Sequence, residues 1–285
     1  MNARAAPLPP IVYEDLLRAS LRDDLGRGGD LTSDTIVPDD LVVSARLVVR
    51  SPGRVAGLEV AIAAFRLFDS ASAASLLCAD GDDVVADTPL AELRGRARAL
   101  LAPERTALNL LGHLSGIATQ TRDVVRAVEP WGTRITGTRK TLPLLGALQK
   151  YAVRVGGGAN HRFGLDDAVL IKDTHRAIAG GAVEAVRRAR AGLGHMVKVE
   201  VEIEDLDELR AVMEEPVDVV LLDNMPPETL RQAVDIVARR AITEASGGIT
   251  LQTAPAYAAT GVDVLSLGWL THTVTSLDVS LEILD

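Results

Sequence analysis

Polar and apolar positions change their rhythm about a third of the way along the chain. In "YEDLLRASLRDDLG", Leu16, Leu17, Leu21 and Leu25 fall at helical spacing, and Gly26 is a natural stop. "SARLVVRSPGRVAGLEV" predicts strands interrupted at Pro52-Gly53, then an Ala-rich helix to about Phe68. "GDDVVADTPLAELRG" predicts short strands punctuated by Gly81, Pro89 and Gly95. From Pro103 onward Leu108, Leu111, Leu114 and Ile117 recur at three-residue steps, which predicts a long helix loosened at Gly112 and Gly116. His113 reads as an ordinary histidine on that helix, because nothing pairs it with a second ligand.

A regular alternation follows. "RITGT", "AVLIKD", "VKVEVE", "DVVLLDN", "AITEASG" and "VDVLSLG" read as buried parallel strands. Helical stretches separate them, among them "PLLGALQKYAVRV", "GGAVEAVRRARAG", "LDELRAVMEE" and "PETLRQAVDIVARR". Strand and helix alternating in this way predict an α/β architecture with a parallel sheet, and six such units favour a barrel over an open sheet. Periodicity alone does not close that barrel.

Composition narrows the function. The 285 residues are 47% hydrophobic, enough for a sizeable core, but only 3% are aromatic, so burial rests on Leu, Val, Ile and Ala. A net charge of -9 excludes a broad basic face for nucleic acid or anionic membrane, though not a local anion pocket. Cys78 is the sole cysteine, which excludes a disulfide framework and favours a reducing compartment. "MNARAAPLPP" has no apolar stretch of signal-peptide length, and no segment approaches a membrane-spanning run. The expectation is a soluble, cytoplasmic protein.

Against that acidic background, "GTRKTLPLLGALQKYAVRVGGGANHRFG" carries Arg139, Lys140, Lys150, Arg154 and Arg162 and no acid. Strand ends are where barrels and doubly wound sheets gather their chemistry. The six runs end in Thr138-Arg139-Lys140, Lys172-Asp173, Glu200 with Glu202, Asp223-Asn224, Glu244 with Ser246-Gly247-Gly248, and Gly268. Arg139, Lys140, His161, Arg162 and Lys172 suit carboxylates or phosphates, and Glu202 and Asp223 suit a hard metal ion or a developing cation. "EASGGIT" and "LGWLTH" offer small residues whose backbone N–H groups can face a phosphate. In "VGGGANHR", Gly156 is expected to end a helix while the following glycines let backbone approach a ligand. The residues alone therefore predict a small, multiply negative, phosphorylated substrate.

"TRKTLP", "QKYAVRVGGGANHRFGLDDAVLIKD", "VEVE", "LLDN", "EASGGI" and "GVDVLSLGWLTH" resemble the quinolinate phosphoribosyltransferase family, the decarboxylating nicotinate-nucleotide pyrophosphorylases of NAD biosynthesis. "LRDDLGRGGDLTSD" and "APERTALNLLGHLSGIAT" extend the resemblance through the amino-terminal half. It implies that quinolinate and phosphoribosyl pyrophosphate give nicotinate mononucleotide, pyrophosphate and carbon dioxide. The implied fold is an α/β sandwich domain, residues 1–112 completed by 275–285, and an open-sided α/β barrel, residues 113–274. A homodimer is implied too, with Arg105 reaching across to the other subunit's site. By the same resemblance Arg105, Thr138, Arg139, His161, Arg162 and Lys172 hold the dicarboxylate. Lys140, Lys172, Glu202 and Asp223 act on phosphoribosyl pyrophosphate with Mg2+, which Glu202 and Asp223 hold directly or indirectly. Ser246, Gly247, Gly248, Gly268 and His272 receive the 5′-phosphate.

Two departures stand out. The family reads Pro-Gly-Leu-Arg where this chain has Pro143-Leu144-Leu145-Gly146, and "IKDNH" becomes "IKDTH" with Thr174. Leu144 is expected to complete an apolar stripe with Leu148, Ala152 and Val155. Other readings remain: a paralogue with another substrate, a Schiff-base aldolase using Lys172, or an inactive ligand-binding module.

Overall fold

The computed structural model describes residues 4–284, so residues 1–3 and 285 of the expected first domain lie outside the described residues. The chain divides into two compact units: 1–122 with 142–157 and 273–285, and 123–141 with 158–272.

In the first unit, strands β1 (Val42–Val49), β2 (Gly53–Arg54), β3 (Ala73–Leu76), β4 (Asp83–Val84) and β5 (Pro89–Arg96) come from the amino-terminal half. The chain's final strand, β12 (Val279–Leu284), pairs antiparallel with β1 and completes a sheet ordered β12-β1-β5-β3. β1 and β5 alternate as half-buried antiparallel strands should: Ala45, Leu47, Ala91 and Leu93 are buried on one face, while Arg46 pairs with Glu92 on the other. Helices Leu58–Phe68 and Glu104–Val128 supply the rest of this core through Leu58, Ile62, Phe65, Leu111, Leu114 and Ile117.

Two expectations change here. The helix over Glu104–Val128 is continuous, not loosened at its glycines. Gly112 and Gly116 are instead places of close approach, where a Cβ would run into the backbone carbonyls of Leu277 and Thr275, and Leu277 N–H donates to Gly112 O at 2.9 Å. Beyond residue 112, Leu114, Ile117 and Ala118 pack in the first unit's core, as do Leu148, Tyr151, Ala152 and Val155 of helix Gly146–Val155. Leu144 is not part of that stripe. It precedes the helix, is 89% exposed, and has φ of 65°, a left-handed conformation that costs a branched residue energy. Gly156 ends this helix as expected, its missing Cβ leaving room for Thr121 and the Ala118 carbonyl, and Gly157 next to it takes the left-handed conformation (φ 96°). His113 accepts from the Gln149 amide at 2.8 Å between nitrogens, and burial pushes its pKa down.

In the second unit all six runs are strands: β6 (Arg134–Thr136), β7 (Val169–Ile171), β8 (Val199–Ile203), β9 (Val219–Asp223), β10 (Ile242–Ser246) and β11 (Val264–Ser266). They form one parallel sheet ordered β6-β11-β10-β9-β8-β7. Among the described residues β6 and β7 do not pair, so the α/β barrel is open on that side. The outer edge of β6 carries only a bridge between Thr136 and Ala159. Val199, Val201 and Ile203 are fully buried in the apolar core with Leu209, Val212 and Leu230 of the covering helices. The alternate positions, Glu200 and Glu202, therefore point to the barrel interior.

Candidate active site

The interior face of the sheet is where the charges meet. A cleft of about 390 Å³ is lined by Thr138, Arg139, Lys140, His161, Arg162, Lys172, Glu202, Asp223, Glu244, Ser246 and Ser266, with Leu170 and Leu221 as its apolar wall. Period-two alternation explains the membership: Asp223 is one step beyond Leu221 on the same face of β9, and Ser246 stands one step beyond Glu244 on β10. Thr138, Lys140, Asp223, Ser246 and Ser266 also line an adjoining hollow of about 480 Å³ that contains Asn224, Gly247, Gly248, Gly268 and His272.

The two ends differ in chemistry. At one, Arg139 lies close enough to Arg162 to disfavour the Arg162 charge. Burial, then Arg139, push the Arg162 guanidinium below its ordinary value. Arg162 Nη1 donates to Ala168 O at 3.1 Å, while its buried Nε has no partner. Two clustered guanidiniums with spare donors are suited to a carboxylate-rich ligand.

At the other end, turns after β10 and β11 converge. Gly247 has φ of 96°, and a side chain there would strike the Asn224 amide. Gly268 leaves room for Lys140 and His272, whose side chains lie 3.1 and 3.3 Å from where its Cβ would be. Trp269 Nε1 donates to Ile249 O at 2.9 Å, and Thr271 Oγ1 donates to Lys140 O at 2.8 Å. These bonds tie three loops into one wall of small residues beside a lysine and a histidine, which fits a phosphate.

Between the ends stand the acids. Glu202, Glu204 and Asp223 bring carboxylate oxygens within 4.8 Å of one another. Burial first, then Asp223 and Asp173, push Glu202 above the ordinary carboxylate value, against Lys172. Burial first, then Glu204, push Asp223 up, against Lys140. That uncompensated negative charge is the condition in which a hard divalent cation binds oxygen ligands.

Models of the quinolinate phosphoribosyl transferase N-terminal and C-terminal domains match residues 30–115 and 117–282. The chain belongs to this family. It is 46% identical over 268 residues to the "Probable nicotinate-nucleotide pyrophosphorylase [carboxylating]" of Bacillus subtilis (strain 168), covering 94% of this chain and 92% of that one. With the nicotinate-nucleotide pyrophosphorylase [carboxylating] of Mycobacterium leprae (strain TN) it shares 44% identity, covering 94% and 96%. The crystal structure of NadC from Streptococcus pyogenes superposes with a TM-score of 0.93 at 38% identity, covering 98% of this chain and all of that one.

Within this member of the family the structure gathers nearly every residue singled out from sequence. Arg105 is the exception. It belongs to the first unit, where its side chain is 65% exposed and paired with Glu104 at 2.7 Å. His161 lines the cleft, yet both ring nitrogens face protein groups. Nδ1 accepts the Arg162 backbone N–H at 2.8 Å, and Nε2 lies 2.9 Å from Glu200 and 3.5 Å from Glu244. Glu204, Ser266, Asn224 and Thr250 went unassigned in the sequence, as did any role for Glu200 and Glu244. Only the Glu-Val-Glu alternation in β8 hinted at two carboxylates on one interior face.

Proposed function

We propose that this chain transfers phosphoribosyl from phosphoribosyl pyrophosphate to quinolinate with loss of carbon dioxide, yielding nicotinate mononucleotide and pyrophosphate for NAD synthesis. The observation that carries the reading is the continuous cleft with a paired-arginine end, an acidic middle and a glycine-walled end. Arg139 and Arg162, with Thr138, His161 and Lys172 beside them, hold the two carboxylates. Ser246, Gly247, Gly248, Gly268 and His272 receive the 5′-phosphate. The quinolinate nitrogen carries its own lone pair, so no activated serine or cysteine is required. That lone pair forms the bond to the ribose anomeric carbon as the bond to pyrophosphate breaks, and the leaving group takes the electron pair. Positive charge on the ribose grows beside Glu202 and Asp223, and Lys140 and Lys172 neutralise the departing pyrophosphate. The ring nitrogen, now cationic, stabilises the electron pair left when the adjacent carboxylate departs as carbon dioxide, and a proton then takes that position. Glu202, Glu204 and Asp223 are the residues that would hold Mg2+, which supplies further neutralisation of pyrophosphate charge.

The proposal includes a homodimer in which Arg105 of each copy completes the other copy's dicarboxylate end. Its support is the exposed guanidinium in the first unit, which among the described residues forms an ion pair only with its chain neighbour Glu104. A cytoplasmic location is also proposed, on the strength of the single free cysteine, Cys78. Among the described residues no helix is long and apolar enough to cross a membrane.

The test is turnover of quinolinate with phosphoribosyl pyrophosphate and Mg2+, with nicotinate as a parallel acceptor. Nicotinate mononucleotide from quinolinate but not from nicotinate is the expected result. Equal use of both, or of neither by folded protein, overturns the proposal.

A further inference from the structure

Two glutamates lie buried under a cleft built for anions. Glu200 and Glu244 are 6% and 5% exposed, and each has one carboxylate oxygen, Oε1, without a hydrogen-bond partner. Glu200 stands one step below Glu202 on the interior face of β8, and Glu244 one step below Ser246 on β10. Placing two carboxylates there opposes both desolvation and the binding of a negative ligand. Neither sits among the cluster of Glu202, Glu204 and Asp223. What the two share is His161, whose Nε2 approaches both.

The geometry also fixes what His161 does. Its Nδ1 accepts the Arg162 backbone N–H, so the ring proton of this imidazole belongs on Nε2, where Glu200 accepts it at 2.9 Å. The segment around it is held at three further points. Ala159 N–H donates to Ile135 O at 2.7 Å, Thr136 Oγ1 donates to Ala159 O at 3.0 Å, and Arg162 Nη1 donates to Ala168 O. Without the imidazole, the stretch between Ala159 and Arg162 would lose its only tie to β8 and β10 among these bonds. The neighbours of Glu244 agree with this arrangement: burial and then Glu200 raise its pKa, while His161, Ser266 and Arg134 oppose the rise.

We propose that Glu200 and Glu244 are positioning residues for the dicarboxylate end: they hold the His161 imidazole with its proton on Nε2, and His161 in turn pins the Arg162 backbone so that its guanidinium faces the cleft. His161 thereby orders Arg162 as well as lining the dicarboxylate end itself. This rests on the dicarboxylate reading of the cleft, but its first test uses no substrate.

In the unliganded enzyme, imidazole nitrogen correlation spectra are expected to show His161, assigned by its disappearance in His161→Gln, as a neutral ring protonated on Nε2. A proton on Nδ1, or on both nitrogens, overturns the proposal whatever the enzyme turns over. In kinetics, Glu200→Leu is expected to raise the quinolinate KM roughly tenfold or more, leaving kcat and the KM for phosphoribosyl pyrophosphate within about threefold. Glu200→Gln keeps an oxygen that accepts from Nε2 and is expected to restore a quinolinate KM near that of the wild type. An unchanged quinolinate KM in folded Glu200→Leu overturns the proposal, as does a fall in kcat alone. So does a stoichiometric divalent ion on the His161, Glu200 and Glu244 trio of the purified enzyme, detected by elemental analysis and displaced imidazole shifts. Should Glu200→Leu fail to fold, Glu200→Gln and the wild-type spectrum still decide.

Discussion

At the residue scale, Leu144 is where this chain parts from its family's glycine, and its backbone shows the consequence. A leucine at φ of 65° with 89% exposure has no packing to offset a left-handed conformation. Leu144→Gly is expected to stabilise the protein by about 1 kcal/mol, the strain relieved less the entropy a glycine adds to the unfolded chain. Chemical denaturation checks it as a higher midpoint at unchanged slope. Asp218 gives the opposite kind of case. Burial alone would raise its pKa, but hydrogen bonds from Lys198 and the Val199 N–H and the bond and charge of Arg190 outweigh it and hold the value near about 2. A folded-state value below the ordinary carboxylate value means the stabilisation is present in full above about pH 4 and lost as pH falls through about 2. Asp218→Asn is therefore expected to lower stability by roughly 2 kcal/mol at neutral pH, and the gap between the two melting curves should close as the pH is taken from about 4 to about 2. Much of the charged lining of the cleft could be read from sequence because Lys172 and Asp223 end apolar runs, while His161 and Arg162 follow a run of glycines. Glu200 and Glu244 could not be read as a pair, because only the curvature of the sheet brings β8 and β10 around the same histidine.

At the scale of elements, a glycine in a helical pattern has two opposite meanings that sequence does not separate. Gly112 and Gly116 read as weak points in the helix Glu104–Val128, yet the helix is unbroken and the glycines are where residues 275–277 lie against it. Gly116→Ala is expected to destabilise the protein by roughly 1–3 kcal/mol by overpacking, although alanine is the better helix former. The denaturation midpoint should fall with no change in slope. A rise in stability would mean that helix propensity, not packing, governs the position. The same contrast explains the rest of what sequence showed and hid. The six parallel strands were visible because apolar runs ending in charge are a local property. The apolar stripe was legible from Leu148 to Val155 but extended wrongly to Leu144, because periodicity does not mark where a helix begins. That helix Gly146–Val155 packs in the first unit follows from contacts distant in the chain, which no local pattern encodes.

At the scale of the whole molecule, an acidic chain with a cationic cleft is economical only if its positive charge is concentrated where substrate binds. In a chain of net charge -9, one hollow gathers Arg139, Lys140, Arg162 and Lys172, partly offset by Glu202, Asp223 and Glu244 in the same lining. Two carboxylates and a pyrophosphate ask for several cations, and gathering them has a cost: burial first, and then Arg139, hold the Arg162 guanidinium below its ordinary value. In the proposed homodimer a further arginine, brought by the second copy, adds charge only when the site assembles. The exposed ion pair of Arg105 with Glu104 is of the kind that contributes little to stability, so that arginine can leave it at small cost. The prediction is made on mixed dimers. Arg105→Ala and Lys140→Ala are each expected to be nearly inactive alone. Co-expressed in equal amounts, half the dimers carry one copy of each, and half the sites in those dimers have both residues intact. Activity should then recover to about a quarter of the wild-type value, as expected when binding groups are shared between subunits. If Arg105 instead serves the cleft of its own chain, every site in every dimer lacks one residue or the other and no activity returns. A recovery well above a quarter would show that one of the two single variants is not impaired.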